Sequence, residues 1–287
     1  MIIAADSHAL ADSLTGLRTD NTSVGFVPTM GNLHQGHLSL IEQARNAADI
    51  VVVSIFVNPM QFAAHEDLDT YPRTLEADLA ALRAANTDIV FTPSSSDIYP
   101  HGSEYETTIH VPRLGEALCG KDRPGHFDGV CTVVHKLFQL VKPDVAIFGE
   151  KDLQQLLIIK KMTRDMGLPI DIRSGATQRA GDGLALSSRN QYLSTDERAI
   201  APLLWQTLQN SASTLIAAPE DEVTRTLKVA CATLEQAGFS VDYLDLRTLS
   251  TLEPACDTSE DCALFVAARL GGTRLIDNIQ IAASQQR

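Results

Sequence analysis

Short runs of β-branched and other apolar residues recur through the first two-thirds of the chain, at 24–27, 50–57, 89–91 and 145–148, with a weaker one at 170–172. They lack polar alternation, so each strand they form must be covered on both faces. Between them lie segments of helical periodicity, roughly 36–48, 73–85, 129–141 and 151–166. Strands alternating with helices in this way demand a parallel sheet with helices on both sides, and ligands of such sheets collect beyond the carboxyl ends of the strands.

After about Thr177 the pattern changes. Two amphipathic stretches, about 195–210 and 220–237, precede three strand-like segments at 241–247, 263–270 and 273–281, the last two joined by Gly271-Gly272. The expected architecture is α/β: a doubly wound, parallel-sheet (Rossmann-like) nucleotide-binding domain over 1–178, then a smaller α+β domain over 179–287 that closes over the site. The boundary is placed in the Gly-containing sequence near Arg179 to Gly183.

A chain of 287 residues can bury such a core without disulfides or metals, and its five cysteines are odd in number and never spaced C-x2-C. They read as reduced thiols. No run approaches the roughly 20 apolar residues of a membrane span, and no Lys or Arg precedes Arg18 as a secretory signal would require. A soluble cytoplasmic protein is expected. The net charge of −13 disfavours nucleic acid and anionic membranes as partners. That acidity is uneven: residues 113–189 carry 12 basic against 9 acidic groups, net +3. A small anion can be received there, although chance clustering on a solvated surface is the simpler account of the balance.

Four turns carry candidate chemistry. Pro28-Thr29-Met30-Gly31-Asn32-Leu33-His34-Gln35-Gly36-His37 follows the first long strand and opens a helix, the position of a phosphate-binding turn. Glycines there admit close backbone approach, and unpaired N–H groups at the helix start favour negative charge. His34 and His37, three apart, share one helical face from which both rings can reach the same phosphoryl oxygens. Taken alone, the pair also suits a helix cap; a metal site lacks a third local ligand. Asn58 and Gln61, after the next strand, are neutral amides that suit a substrate bearing hydroxyls and a carboxylate which must stay nucleophilic, or equally a structural turn. Gly149-Glu150-Lys151-Asp152, followed by Gln155 one helical turn on, puts a cation at a helix mouth, with Asp152 also a sound N-cap. Leu186-Ser187-Ser188-Arg189, at the domain junction, offers two hydroxyls and a guanidinium able to clamp outer phosphates; the plain alternative is a Ser-rich linker.

These strings, together with Arg123-Pro124-Gly125-His126-Phe127-Asp128-Gly129-Val130 and Thr273-Arg274-Leu275-Ile276-Asp277-Asn278, run in order along nearly the whole chain. In that order they resemble the pantothenate synthetase family, whereas the HxGH motif alone admits any HxGH nucleotidyltransferase or class I aminoacyl-tRNA synthetase. The resemblance implies an amide-forming ligase of coenzyme A biosynthesis that condenses (R)-pantoate with β-alanine through a pantoyl adenylate, releasing AMP and pyrophosphate. It implies that Met30, Gly31, Asn32, Leu33, His34, Gln35, Gly36 and His37, with Gly149, Glu150, Lys151, Asp152, Gln178, Leu186, Ser187, Ser188 and Arg189, bind ATP. His37, His34, Lys151 and Arg189 would be catalytic. Gln61, Gln155 and Asn58 would hold substrate. Mg2+ should accompany the ATP phosphates, with its protein ligands unassigned, and a homodimer is implied. Gln178 departs from the apolar residue usual beside adenine, Ala77 from an acidic residue found in some relatives, and Leu153 from a frequent Tyr. Another HxGH nucleotidyltransferase remains the nearest alternative, its phosphate-bearing acceptor calling for more basic groups than Asn58, Gln61 and Gln155 supply. A synthetase acting on tRNA is disfavoured by length and charge. A non-catalytic nucleotide-binding module would need neither the histidine pair nor a separate amide-lined pocket.

Overall fold

The computed structural model describes residues 1–63, 66–217 and 222–283. The chain divides into two units, the first made of residues 1–116, 120–150 and 154–176, the second of 117–119, 151–153 and 177–287.

In chain order the first unit contains β1 (Ile2–Ala4), α1 (Ser7–Leu17), β2 (Val24–Thr29), α2 (Gln35–Ala47), β3 (Ile50–Ile55), α3 (Leu75–Ala84), β4 (Ile89–Phe91) and α4 (Ser95–Ile98). A short helix, α5 (Cys119–Asp122), then leads to α6 (His126–Val141), β5 (Val145–Gly149), α7 (Leu153–Asp165) and β6 (Asp171–Gly175). The strands form one sheet in the order β1-β4-β3-β2-β5-β6, every neighbouring pair parallel. From β2 the sheet grows through β3 and β4 to β1 on one side, then through β5 and β6 on the other. The point where the order reverses therefore lies between β2 and β5, where adjacent connections leave to opposite faces and open a crevice at the carboxyl ends.

Two-sided burial explains the apolar runs. Val27, Val51, Val53 and Val90 pack with Ile41 and Ala44 of α2 and Leu82 of α3. On the opposite face Phe26 meets Phe138 of α6 edge-on at 6.3 Å, and Phe138 in turn meets Phe148. Successive side chains of β2 thus feed different layers, and neither can be polar.

The second unit contains α8 (Thr195–Ile200), α9 (Leu203–Ala217), α10 (Val223–Gln236) and an antiparallel meander of β7 (Phe239–Thr248), β8 (Cys262–Leu270) and β9 (Thr273–Ile281). Leu204, Leu208 and Leu215 of α9 and Leu234 of α10 pack on Leu264, Val266 and Leu270 of β8.

The structure departs from the sequence reading in several places. The stretch at 195–210 is two helices, because Pro202 has no N–H to continue α8 and stands just before α9, its carbonyl accepting from the Gln206 amide. The helix expected from 220 begins at Val223, and residues 220 and 221 lie outside the described residues, as do 284–287 of the expected second domain. The strand expected to reach 57 ends at Ile55. β1 and α1 escaped notice: β1 has only three residues, and α1 buries just Leu10 and Leu14, its start fixed by Asp6 accepting from the Ala9 amide at 2.8 Å. A linear division at 178/179 also has no place for residues 117–119 and 151–153 in the second unit.

Candidate active site

The turn from β2 into α2 rises at the edge of the β2–β5 crevice. Gly31 has φ +79 and Asn32 φ +50, a left-handed pair that reverses the chain tightly. A side chain at Gly31 would press on Asp78 Oδ2 and Ile55 Cγ2, each 3.1 Å from its Cβ position. Asp78 of α3, only 3% exposed, is the post on which this turn sits: its oxygens accept from the Asn32 amide (2.9 Å), the Leu33 amide (2.8 Å) and the Thr74 hydroxyl (3.2 Å). The turn's amides are therefore less available to an anion than the sequence implied. Gly36 N–H is also engaged, donating to His34 Nδ1 at 3.1 Å, and His34 N–H donates to His37 Nδ1 at 3.2 Å.

That reciprocal pair is a capping box built from two imidazoles, at the position Ser or Asp with Glu usually takes. The cap reading and the catalytic reading consequently describe different nitrogens of the same rings. Each ring accepts at Nδ1, so the neutral tautomer carries its proton on Nε2, and the half-buried rings lie with centroids 4.1 Å apart. Capping thus makes both rings N–H donors at their outer edge.

The second group hangs on the turn after β3. Asn58 is 1% exposed and wholly engaged. Its Nδ2 donates to the Gly129 carbonyl (3.1 Å) and to Gln61 Oε1 (3.2 Å), while its Oδ1 accepts from the Tyr99 hydroxyl (2.7 Å) and the Met60 amide (3.3 Å). Burial pushes the Tyr99 phenol well above its ordinary value, which keeps it a donor. Because the Gly129 carbonyl can only accept, the Asn58 amide has one orientation, and it imposes one on Gln61. Gln61 Nε2 then faces Met30 Sδ at 3.1 Å, a weak acceptor that a substrate oxygen can replace. Asn58 thus orients Gln61.

Gln61 is also held from behind. Its carbonyl accepts from His126 Nδ1 (2.8 Å) and Arg123 Nη2 (3.1 Å), and Arg123 grips Glu66 through two nitrogens at 2.5 and 2.6 Å. Burial raises the Glu66 carboxyl, but the hydrogen bonds and charge of Arg123 outweigh it and hold the group below its ordinary 4.5. Close approach here depends on Gly129 of α6, whose Cβ would lie 2.3 Å from the Met60 carbonyl oxygen. Gln155, in the first turn of α7, and Gly149 and Glu150, at the carboxyl end of β5, are half-buried.

In the second unit, Lys151 Nζ lies 3.8 Å from Asp152 Oδ1, a loose ion pair. Residues 177–190 fold on themselves: the Gln178 carbonyl accepts from Leu186 N–H (2.9 Å), and Asn190 Nδ2 donates to the Ala185 carbonyl (3.0 Å). Ser187 caps the single turn Ser188–Tyr192 by accepting from the Arg189 amide, which leaves its own O–H proton to donate elsewhere. Among the described residues no three His, Cys, Asp or Glu gather as a metal cage. The sequence reading missed Tyr99, Glu66, Arg123 and His126 as partners of the 58–61 turn, and it met Asp78 only beside Ala77, without its role under the Asn32 and Leu33 amides. Arg123 and His126 did stand in a recognised string, but nothing local tied them to Gln61, more than 60 residues earlier.

The family model described as pantoate-beta-alanine ligase matches residues 2–280. A pantothenate synthetase of Ectopseudomonas mendocina is 50% identical over 94% of each chain, and one of Pseudomonas aeruginosa (strain UCBPP-PA14) is 51% identical over 92% of this chain and 93% of its own. The crystal structure of pantothenate synthetase from Thermus thermophilus superposes with a TM-score of 0.90 at 42% identity, covering 98% of this chain and 100% of that one. The ligase of Francisella tularensis, crystallised with beta-gamma ATP and β-alanine, superposes with a TM-score of 0.80 at 36% identity over 97% of both chains.

Proposed function

The chain belongs to the pantoate–β-alanine ligase family, and from that premise we propose how its residues divide the chemistry. The reaction is the ATP-dependent condensation of (R)-pantoate with β-alanine. In its first half a pantoate carboxylate oxygen bonds to the α-phosphorus and the bond to the bridging oxygen breaks, so pyrophosphate leaves. In its second half the β-alanine amine bonds to the acyl carbon, AMP departs with the electron pair of the broken C–O bond, and the amine gives up a proton. Two displacements with good leaving groups replace one difficult amide formation.

The observation that carries the assignment of roles is the histidine capping box, which fixes two N–H donors side by side beyond β2. His37 and His34 donate through Nε2 to phosphoryl oxygens as charge moves onto the departing pyrophosphate. The turn Met30 to Gly36 shapes the bed for ATP, Gly149 and Glu150 line the β5 edge of the crevice, and Lys151 and Arg189 supply positive charge. Asp152, Gln178, Leu186, Ser187 and Ser188 belong to the same ATP-binding set. Gln61 offers its NH2 to pantoate, and Gln155 completes the amide pair; Asn58 acts through Gln61. Neutral amides leave the attacking carboxylate anionic but unpaired with any cation, hence nucleophilic. An acceptor that was itself a phosphate would ask for basic groups there.

Magnesium enters with ATP as part of the substrate and is held chiefly by the phosphates. That fits the donor set, since both oxygens of Asp78 already accept backbone amides. We place the enzyme in the cytoplasm as a homodimer, without nucleic-acid or membrane partners; no helix among the described residues is long and apolar enough to cross a membrane. Purified protein given magnesium ATP and pantoate alone should release pyrophosphate, and adding β-alanine should yield AMP and pantothenate. Absence of both products under conditions where the nucleotide binds would refute the assignment of roles.

A further inference from the structure

The string 273–278 at the start of β9 has no place in the chemistry above, yet two of its side chains are among the least exposed polar groups of the chain. Asp277 is 4% exposed and Asn278 7%. Asp277 receives Arg179 through both terminal nitrogens, at 2.6 and 2.9 Å, and accepts from the Asn278 amide at 2.8 Å. Arg179 lies over the Trp205 ring at 3.4 Å and donates to the Gly183 carbonyl at 3.1 Å. Asn278 Nδ2 donates to the Lys151 carbonyl at 3.0 Å. The bonds form one continuous chain, from the main chain of Lys151 through Asn278, Asp277 and Arg179 to the segment that carries Arg189.

We propose that Asp277 and Asn278 are positioning residues for adenylation, fixing the Lys151 turn and the 179–189 segment in one frame so that both cations meet the triphosphate together. The proposal rests on the reading above, in which Lys151 and Arg189 serve ATP. A buried Arg–Asp pair is a poor source of stability, because desolvation consumes much of the attraction and apolar residues would pack as well. What such a pair supplies is direction. A bidentate fork fixes the plane of the guanidinium, the Trp205 ring fixes its face, and the remaining N–H then points at one carbonyl. Asn278 extends the same frame by a neutral donor, which adds no charge beside Lys151.

The test separates the two half-reactions in Asn278→Ala, Asn278→Ser, Lys151→Ala and the double variant Lys151→Ala/Asn278→Ala, each assayed well below its own melting midpoint. Adenylation is followed as pyrophosphate formed from magnesium ATP and pantoate; amide formation is followed from supplied pantoyl adenylate and β-alanine. Asn278→Ala should lower kcat/KM for ATP in adenylation by about 10- to 100-fold, the cost of a group held out of register. It should leave aminolysis of the supplied adenylate unchanged, and Asn278→Ser should show a smaller loss in the same step. On the Lys151→Ala background the Asn278 change should add little, since the group it acts through is gone. Equal losses in both half-reactions, a full additional loss on that background, or wild-type adenylation in Asn278→Ala would each overturn the proposal. Wild-type adenylation in Lys151→Ala would instead remove the reading of the site on which it depends.

Discussion

The histidine pair combines two tasks that substitution can separate. Asparagine at 37 places an oxygen close to where Nδ1 sits but offers nothing at the Nε2 position. His37→Asn should therefore keep the melting midpoint near wild type while adenylation falls about 10²-fold or more, the scale of a lost charge-stabilising donor. Calorimetry and pyrophosphate release on the same preparation check both halves, and a variant that melts early with its residual activity intact would assign His37 to capping alone. Asp78 makes the opposite case. Asp78→Ala removes the acceptor of the half-buried Asn32 and Leu33 amides, at about 1 kcal/mol for each lost bond, and should lower the denaturation midpoint as well as ATP affinity. His34 and His37 could be read from the sequence because their spacing falls within one helical turn. The role of Asp78 could not, since the amides it satisfies lie 45 and 46 residues earlier and an acidic pair in the first turn of a helix, here Glu76 and Asp78, also reads simply as a favourable helix start. The protein partners of Asn58 were not legible either, because Tyr99, which donates to its carbonyl, comes 41 residues later.

Elements set how tightly these residues are held. α6 approaches the 59–61 turn only because Gly129 has no side chain, so Gly129→Ala should force the two apart at about 1–3 kcal/mol and raise KM for pantoate more than KM for ATP. Equal changes in both KM values would mean that the turn does not serve pantoate. The same turn depends on the Arg123–Glu66 clamp. The Glu66 carboxyl is held below its ordinary 4.5, so its ionised form favours the folded state; the contribution is complete above about pH 4.5 and is lost as pH falls through the lower, folded value. Glu66→Gln lacks that contribution at every pH, and its stability should consequently fall less steeply than wild type on the acid side of pH 4.5. Denaturant titrations from neutral pH down to acid check this, and parallel acid limbs would discount the clamp. The parallel strands were readable because burial on both faces writes an unbroken apolar run, as at 24–27. β1 was not, for it contributes three residues and pairs with β4, 87 positions further on.

For the whole molecule, the acidity that argued against polyanions belongs to the exterior, while Lys151 and Arg189 sit in the long stretch 113–189, of net positive balance. A net charge of −13 should leave binding to duplex DNA undetectable at physiological salt, and sedimentation should give a particle of twice 31.1 kDa if the homodimer is the working form. The sheet order has a separate effect, on time. β2 pairs with β3 nearby, but its other neighbour β5 is supplied from about 120 residues away, as the Val24–Asp144 contact spans. Closing so long a loop is slow relative to forming local helices, so the crevice between β2 and β5 should be among the later parts of the first unit to assemble. A ligand that recognises only the finished crevice has nothing to hold while the chain is still searching. Magnesium ATP should accordingly slow unfolding without changing the refolding rate: the substrate lengthens the life of the enzyme and does nothing to hasten its arrival.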